Sequence, residues 1–441
     1  MGMTMTEKIL AAHVGRDVVR PGEIHFVPVD CVMANDVTAP IAIEQFERTG
    51  ATEVFDPERI ILVPDHYVPN KDVKAAEQAK VMRAFARKHR LPFYYEVGRS
   101  CVCHCLVPEE GHVTAGDVMV GADSHSCTHG ALGAFATGMG STDVGVIFAL
   151  GETWLRVPES IRCVFRGEPA NPYVGGKDYI LALLGKIGVA GARYRALEFC
   201  GDAIESLTMA GRFTLCNMAV EAGAKNGIVA CDDTTLDYIT EHPGADPHVR
   251  DDDSVAEDIF RERRPPVVHQ SDPDAAYCET HEFDVTGLEP QVACPHAPSN
   301  VKLVSQVAGV RIDQAFIGSC TNGRYEDLKL AADILADHPV APYVRLIVIP
   351  ASLQDYRRCI REGLDEVFVD AGGVFSTPTC GPCLGGHMGV LASGEVCVST
   401  SNRNFRGRMG HLDAQVYLAN PAVVAASAVL GRIGSPEELH S

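Results

Sequence analysis

Gln314-Ala-Phe-Ile-Gly-Ser-Cys-Thr-Asn-Gly323 joins a short apolar run to a polar loop that holds one cysteine near glycines. Such a run reads as a buried strand whose carboxyl end hands functional groups to a site. The pattern recurs at Arg59-Ile-Ile-Leu-Val-Pro-Asp-His66, Asp117-Val-Met-Val-Gly-Ala-Asp-Ser-His125 and Glu395-Val-Cys-Val-Ser-Thr-Ser-Asn-Arg403. Helical periods follow. Leu328, Ala331, Ala332 and Leu335 make one face after the Cys320 loop, and Ala75 to Arg87 is amphipathic after Asp65-His66. Strands alternating with helices predict layered α/β architecture.

A chain of 441 residues can bury a large core and divides into two to four domains. Its 58 acidic and 38 basic side chains leave a charge of −20, which repels phosphate backbones and anionic membranes, so no nucleic-acid partner is expected. Apolar runs such as Val144 to Leu150 are core-sized, too short for a bilayer, and no membrane association is expected. The 16 cysteines come without a secretory leader or an even-spaced framework, which predicts a reducing, cytoplasmic setting. Composition breaks near Arg166 to Gly176 and again between Arg250 and Asn300, where Arg250-Asp-Asp-Asp-Ser-Val-Ala-Glu-Asp258 and Pro265-Pro266 mark a domain edge.

Cys320 precedes Cys380-Gly-Pro-Cys383. Three thiolates are one fewer than a closed Cys₄ site needs, and a metal centre held by three protein ligands keeps one position open for chemistry. A zinc site completed by His387 and a dithiol redox pair at Cys380 and Cys383 are the other readings of these residues. Asp65-His66 and Asp123-Ser124-His125 place a carboxylate beside an imidazole at two strand ends, which suits proton transfer. Cys101-Val-Cys-His-Cys105, read as a strand, sets three small buried cysteines on one face and His104 on the other. Asn402-Arg-Asn-Phe-Arg-Gly-Arg408 is a basic knot in an acidic protein, and arginine forks match carboxylates. Asn217-Met-Ala-Val-Glu221 is read as the start of a helix, with Glu221 on its surface.

Gly-Ser-Cys-Thr-Asn-Gly, Cys-Gly-Pro-Cys and Ser-Asn-Arg-Asn-Phe-x-Gly-Arg in one chain resemble the aconitase superfamily, and within it the large subunits of isopropylmalate dehydratases. The resemblance implies three α/β/α domains, at 1–168, 169–285 and 286–441, around a central [4Fe–4S] cluster, without the family's swivel domain. By it, Cys320, Cys380 and Cys383 hold the cluster, Asp65-His66 forms the strand-end dyad, and His104 protonates the departing hydroxyl. Asp123 pairs with His104, and Glu221 with His125. Arg403 and Arg408 bind substrate carboxylates, Asn402 lies beside the cluster, and Asn217, Ser124, Asn35, Asp36 and Thr38 face the substrate.

The implied reaction dehydrates a hydroxy-dicarboxylate and rehydrates the alkene on the neighbouring carbon, with 2-isopropylmalate to 3-isopropylmalate in leucine biosynthesis favoured. Homocitrate, citramalate or dimethylmalate are the other substrates considered; an iron-sensing regulator is the reading from another class. A separate small subunit carrying the swivel domain is the implied partner. The sequence departs from the family's usual pattern at Cys101-Val-Cys-His-Cys105, His129 and Asn35.

Overall fold

The computed structural model describes residues 2–245 and 261–440, so the charge run Arg250 to Asp258 lies outside the described residues. Strand-end loops converge because the first two sheets and the centre of the third are built from parallel strands; burial on both faces is the condition under which runs such as Ile-Ile-Leu-Val are wholly apolar.

The first sheet has the order Phe93–Tyr94, Ile60–Val63, Cys31–Asn35, Val118–Gly121, Phe135–Gly138, with every pairing parallel. The chain starts on the central strand, winds to one side, then returns to the other. A crevice therefore opens where Cys31–Asn35 and Val118–Gly121 end, the place where doubly wound sheets bind ligands. Val73–Lys88, capped by Asp72 through the Ala75 N–H, is the helix expected after Asp65-His66.

In the second sheet Asn226–Val229, Ala196–Cys200, Ser160–Arg166 and Glu279–Asp284 lie side by side, all parallel. Ser160–Arg166, which falls inside the segment 1–168, hydrogen-bonds here rather than in the first sheet.

Seven strands make the third sheet: Val301–Leu303, Gln291–Ala293, Gln415–Leu418, Val396–Ser399, Gln314–Ile317, Arg345–Val348 and Val374–Phe375. Gln314–Ile317 lies between Val396–Ser399 and Arg345–Val348 and parallel to both. The loops carrying Cys320 and Asn402 thus leave adjacent strands at the same end. Leu328, Ala331, Ala332 and Leu335 all face the core from helix Tyr325–Leu335.

Two local readings are corrected. Cys103–Glu109 is a helix rather than a strand, so Cys103, His104 and Cys105 are all buried and do not alternate between faces. Asn217 closes helix Met209–Asn217 rather than opening one, and the turn Met218–Ala222 that follows buries Glu221 instead of exposing it.

Candidate functional site

Gly318 allows the Cys320 loop to fold where it does. Its φ is +153° and a Cβ there would stand 2.7 Å from the Ile349 carbonyl oxygen, so only glycine fits without a shift. Ser319 follows at φ +73°, an uncommon conformation for a residue with a side chain. The three thiols are buried, and Cys320 and Cys380 share a small apolar pocket with Val102, Cys105 and Ala351. Burial pushes the Cys320 thiol up to about 12, with the Cys383 sulfur adding to it. Cys380 is likewise raised by burial, then by Asp65, Cys383 and Cys320.

Thiols that oppose one another's ionisation suit a multi-iron cation, which would neutralise all three. The surrounding donors fit the same group. Asn217 Nδ2 donates to Cys320 Sγ at 3.1 Å and Asn402 Nδ2 to the same sulfur at 3.3 Å. The buried Nε of Arg408 has no hydrogen-bond partner among the described residues, and its guanidinium lies near Cys383, Asp123 and Glu221. His387 Nε2 contacts the Pro69 carbonyl at 3.3 Å, and the close-set metal-ligand types are instead Asp65, His66 and Cys380.

Asp123 is the hub of the proton-handling groups. Its Oδ1 lies 2.9 Å from His104 Nε2 and accepts the His125 backbone N–H at 2.8 Å, while Oδ2 accepts from Asn35 Nδ2 at 3.3 Å and stands 4.0 Å from His66 Nε2. Burial works against ionisation here, but His104 and His125 hold the carboxyl well below the usual range. His66 Nδ1 meets Asp65 Oδ1 at 2.6 Å. Burial favours the neutral ring, yet Asp65, Asp36 and Asp123 together raise its pKa to about 10, so it is an imidazolium at neutral pH.

Glu221 Oε1 lies 2.9 Å from His125 Nε2 and accepts from Arg403 Nε at 2.7 Å. The strand-end pairings of Asp123 with His104 and of Glu221 with His125 are therefore present as hydrogen bonds. Arg403 is held by Nε alone; its terminal nitrogens have no protein partner among the described residues, and its side chain is 20% exposed.

The early loop is used differently from what its residues suggest. Both oxygens of Asp36 are spent on backbone, accepting from Asp65 N, His66 N and Tyr67 N at 3.1, 2.9 and 2.8 Å. Asp36 thus shapes the loop that carries the Asp65–His66 dyad. Thr38 Oγ1 donates to Asn35 Oδ1 at 3.0 Å, which orients the amide aimed at Asp123. Ser124 lines an open cavity of about 450 Å³ together with Thr137, Gly138, Val220 and Lys225.

Sequence reasoning missed the cations behind the loops. Arg324 NH1 donates to the Cys320 carbonyl at 3.1 Å with its guanidinium over the Phe213 ring, and Lys177 is buried against Thr400 and Ser401. Nothing in their local sequence marks them, since each opens an ordinary amphipathic helix.

The model of the aconitase family (aconitate hydratase) matches residues 7–309 and 301–431. The 3-isopropylmalate dehydratase large subunit of Thermodesulfovibrio yellowstonii is 54% identical over 439 residues, 100% of both chains. Its namesake from Aquifex aeolicus is 54% identical over 444 residues, covering 100% of this chain and 98% of the other. Among solved structures, holo aconitase X of Thermococcus kodakaraensis aligns over 94% of this chain and 97% of that one, at 13% identity and a TM-score of 0.49. With matches of this extent to the family model and to full-length relatives, the chain belongs to the aconitase family.

Proposed function

We propose that this chain is the large, catalytic subunit of a [4Fe–4S] hydro-lyase that isomerises 2-isopropylmalate to 3-isopropylmalate by dehydration and rehydration. The observation that carries the reading is the convergence of three buried thiols with a carboxylate that has three imidazoles within 4.0 Å, His104, His125 and His66, at the ends of strands from two sheets. Cys320, Cys380 and Cys383 would hold the cluster, and their relatives' name, 3-isopropylmalate dehydratase large subunit, supports the substrate.

When bound, the cluster supplies a Lewis acid that makes hydroxide a tolerable leaving group. The protein's own residues manage the proton and the carboxylates. Asp123 fixes Nε2 of His104; Nδ1, which has no hydrogen-bond partner among the described residues, is the atom free to pass a proton to the departing hydroxyl. His66 stays charged beside Cys380. Arg403, anchored on Glu221, turns its terminal N–H pair to a substrate carboxylate, and Arg408 offers a second cation. The carbon-bound proton needs a base from a separate small subunit carrying the swivel domain, and a cytoplasmic heterodimer is the assembly we infer.

Anaerobic coexpression with a candidate small subunit, followed by turnover assays on 2-isopropylmalate, citramalate, dimethylmalate and homocitrate, tests the reading. Preference for 2-isopropylmalate by an iron- and sulfide-containing complex is expected. A complex loaded with stoichiometric zinc and lacking acid-labile sulfide would overturn it.

A further inference from the structure

Lys177 is 2% exposed at the start of helix Gly176–Ile187, where the positive end of the helix dipole makes an ammonium unwelcome. Burial lowers its pKa to about 7. Its position is nonetheless fixed. Nζ donates to the Thr400 carbonyl at 2.8 Å and the Ser401 carbonyl at 2.7 Å, the two residues before Asn402 and Arg403. The helix cannot retreat on its other side, because a Cβ on Gly176 would stand 2.3 Å from the Gly211 carbonyl oxygen of helix Met209–Asn217, which carries Asn217. The carboxyl groups of Asp327 and of the adjacent Asp178 also favour the ammonium.

The neighbouring Asp178 does a different job. Its carboxylate accepts from Gly175 N, Gln291 N and Asn420 Nδ2 at 3.0, 2.8 and 3.0 Å, which docks the helix on the third sheet far from any site residue in sequence. Anchorage is therefore supplied without Lys177. A buried cation that is not needed for anchorage has a desolvation cost, and the two carbonyls it serves help to offset it.

We propose that Lys177 is a positioning residue of the isomerase: it fixes the Thr400–Ser401 backbone that aims Asn402 at the Cys320 sulfur and Arg403 at Glu221. This rests on the cluster-bearing reading above. Through Arg403 it governs substrate affinity, and through Asn402 the retention of the cluster.

The test compares wild type, Lys177→Met, Lys177→Gln and Asp178→Asn as complexes with the small subunit. Iron and sulfide content, the rate of cluster bleaching in air, KM and kcat for 2-isopropylmalate, and Tm are measured on each. Lys177→Met should bleach about tenfold faster and raise KM about tenfold, the scale reported for residues that support metal ligands. Lys177→Gln is one bond shorter and reaches at most one of the two carbonyls, so bleaching and KM should both rise, each by about threefold. Asp178→Asn should lower Tm with both other readouts within about twofold, because its hydrogen bonds hold the helix on the third sheet and none goes to a site residue. If Lys177→Met does not fold, Lys177→Gln decides alone. Lysine variants matching wild type in bleaching and KM, or reproducing the Asp178→Asn pattern, or both failing to fold, would overturn the inference. A wild-type complex without iron and sulfide would instead overturn the reading on which it rests.

Discussion

Glu221 and Arg403 form an ion pair with 2.7 Å between Oε1 and Nε, and the same glutamate oxygen lies 2.9 Å from His125 Nε2. One buried carboxylate thus holds an imidazole from the first sheet's loops and a guanidinium from the third's. Its location explains why a lysine cannot stand in for the arginine. An ammonium that reached Glu221 would have no fork left to present to a substrate carboxylate. Arg403→Lys should lower kcat/KM by about 30-fold to several-thousand-fold, the range for breaking a buried, hydrogen-bonded charge pair of about 2–5 kcal/mol. Kinetics of the two-subunit complex at matched iron content check this, and a change below about threefold removes Arg403 from the site.

Acid should uncouple the same pair. Burial raises the pKa of Glu221, but His125 and Arg403 outweigh it and leave the group below 4.5. A carboxyl depressed in the folded state contributes stability above its unfolded pKa and loses it as pH falls through the folded value. Glu221→Gln should therefore be less stable than wild type at pH 7, and the gap should narrow as pH drops below about 4.5 and the wild-type carboxyl protonates. Denaturant unfolding across that range measures it; a constant gap would mean that Glu221 is not held ionised by its partners.

Serine at Cys320, Cys380 or Cys383 should abolish iron and sulfide binding, whereas Cys103→Ser and Cys105→Ser should retain it. Cys103 is buried on the helix beside the dyad, its backbone N–H donating to Asp65 Oδ2 at 2.8 Å. Cys105 packs in the apolar pocket beside Cys320. Iron and acid-labile sulfide analysis of the anaerobically purified variants decides, and loss from either control variant would add a ligand to the site.

Asn217→Ala and Asn402→Ala each remove an N–H donor from the Cys320 sulfur, at 3.1 and 3.3 Å in the native protein. Each should speed loss of iron to a chelator by about 10- to 100-fold, because groups that bond to a metal ligand support affinity on that scale. Chelation followed by absorbance provides the measurement, and unchanged rates would restrict both amides to packing.

The chain without its partner should turn over no substrate, since none of the site's described residues is placed to act as the carbon base in our reading. Assays of the reconstituted chain with and without the small subunit compare the two states, and substantial turnover by the chain alone would refute the two-subunit model.

Much of this was determined by sequence alone. Apolar runs ending in Asp-His, Asp-Ser-His, Gly-Ser-Cys and Ser-Asn-Arg identify strand ends, because burial on both faces demands continuous hydrophobicity and chemistry can start only where the strand stops. Local order also determined the Asp65–His66 contact, between residues adjacent in the chain. Beyond the pairings of Asp123 with His104 and Glu221 with His125, which the family resemblance implied, tertiary structure decided which remote groups meet. The Cys101 to Cys105 segment carries β-favouring and helix-compatible residues alike, and packing against the Cys320 pocket selects the helix that points His104 at Asp123. That three backbone N–H groups from the dyad loop converge on Asp36 is likewise invisible in its local sequence. Glu221 and Lys177 sit in stretches that would pass for ordinary helix ends. Their burial, and so the strength of their charges, is set by loops 182 and 223 residues away, a distance over which no local pattern carries information.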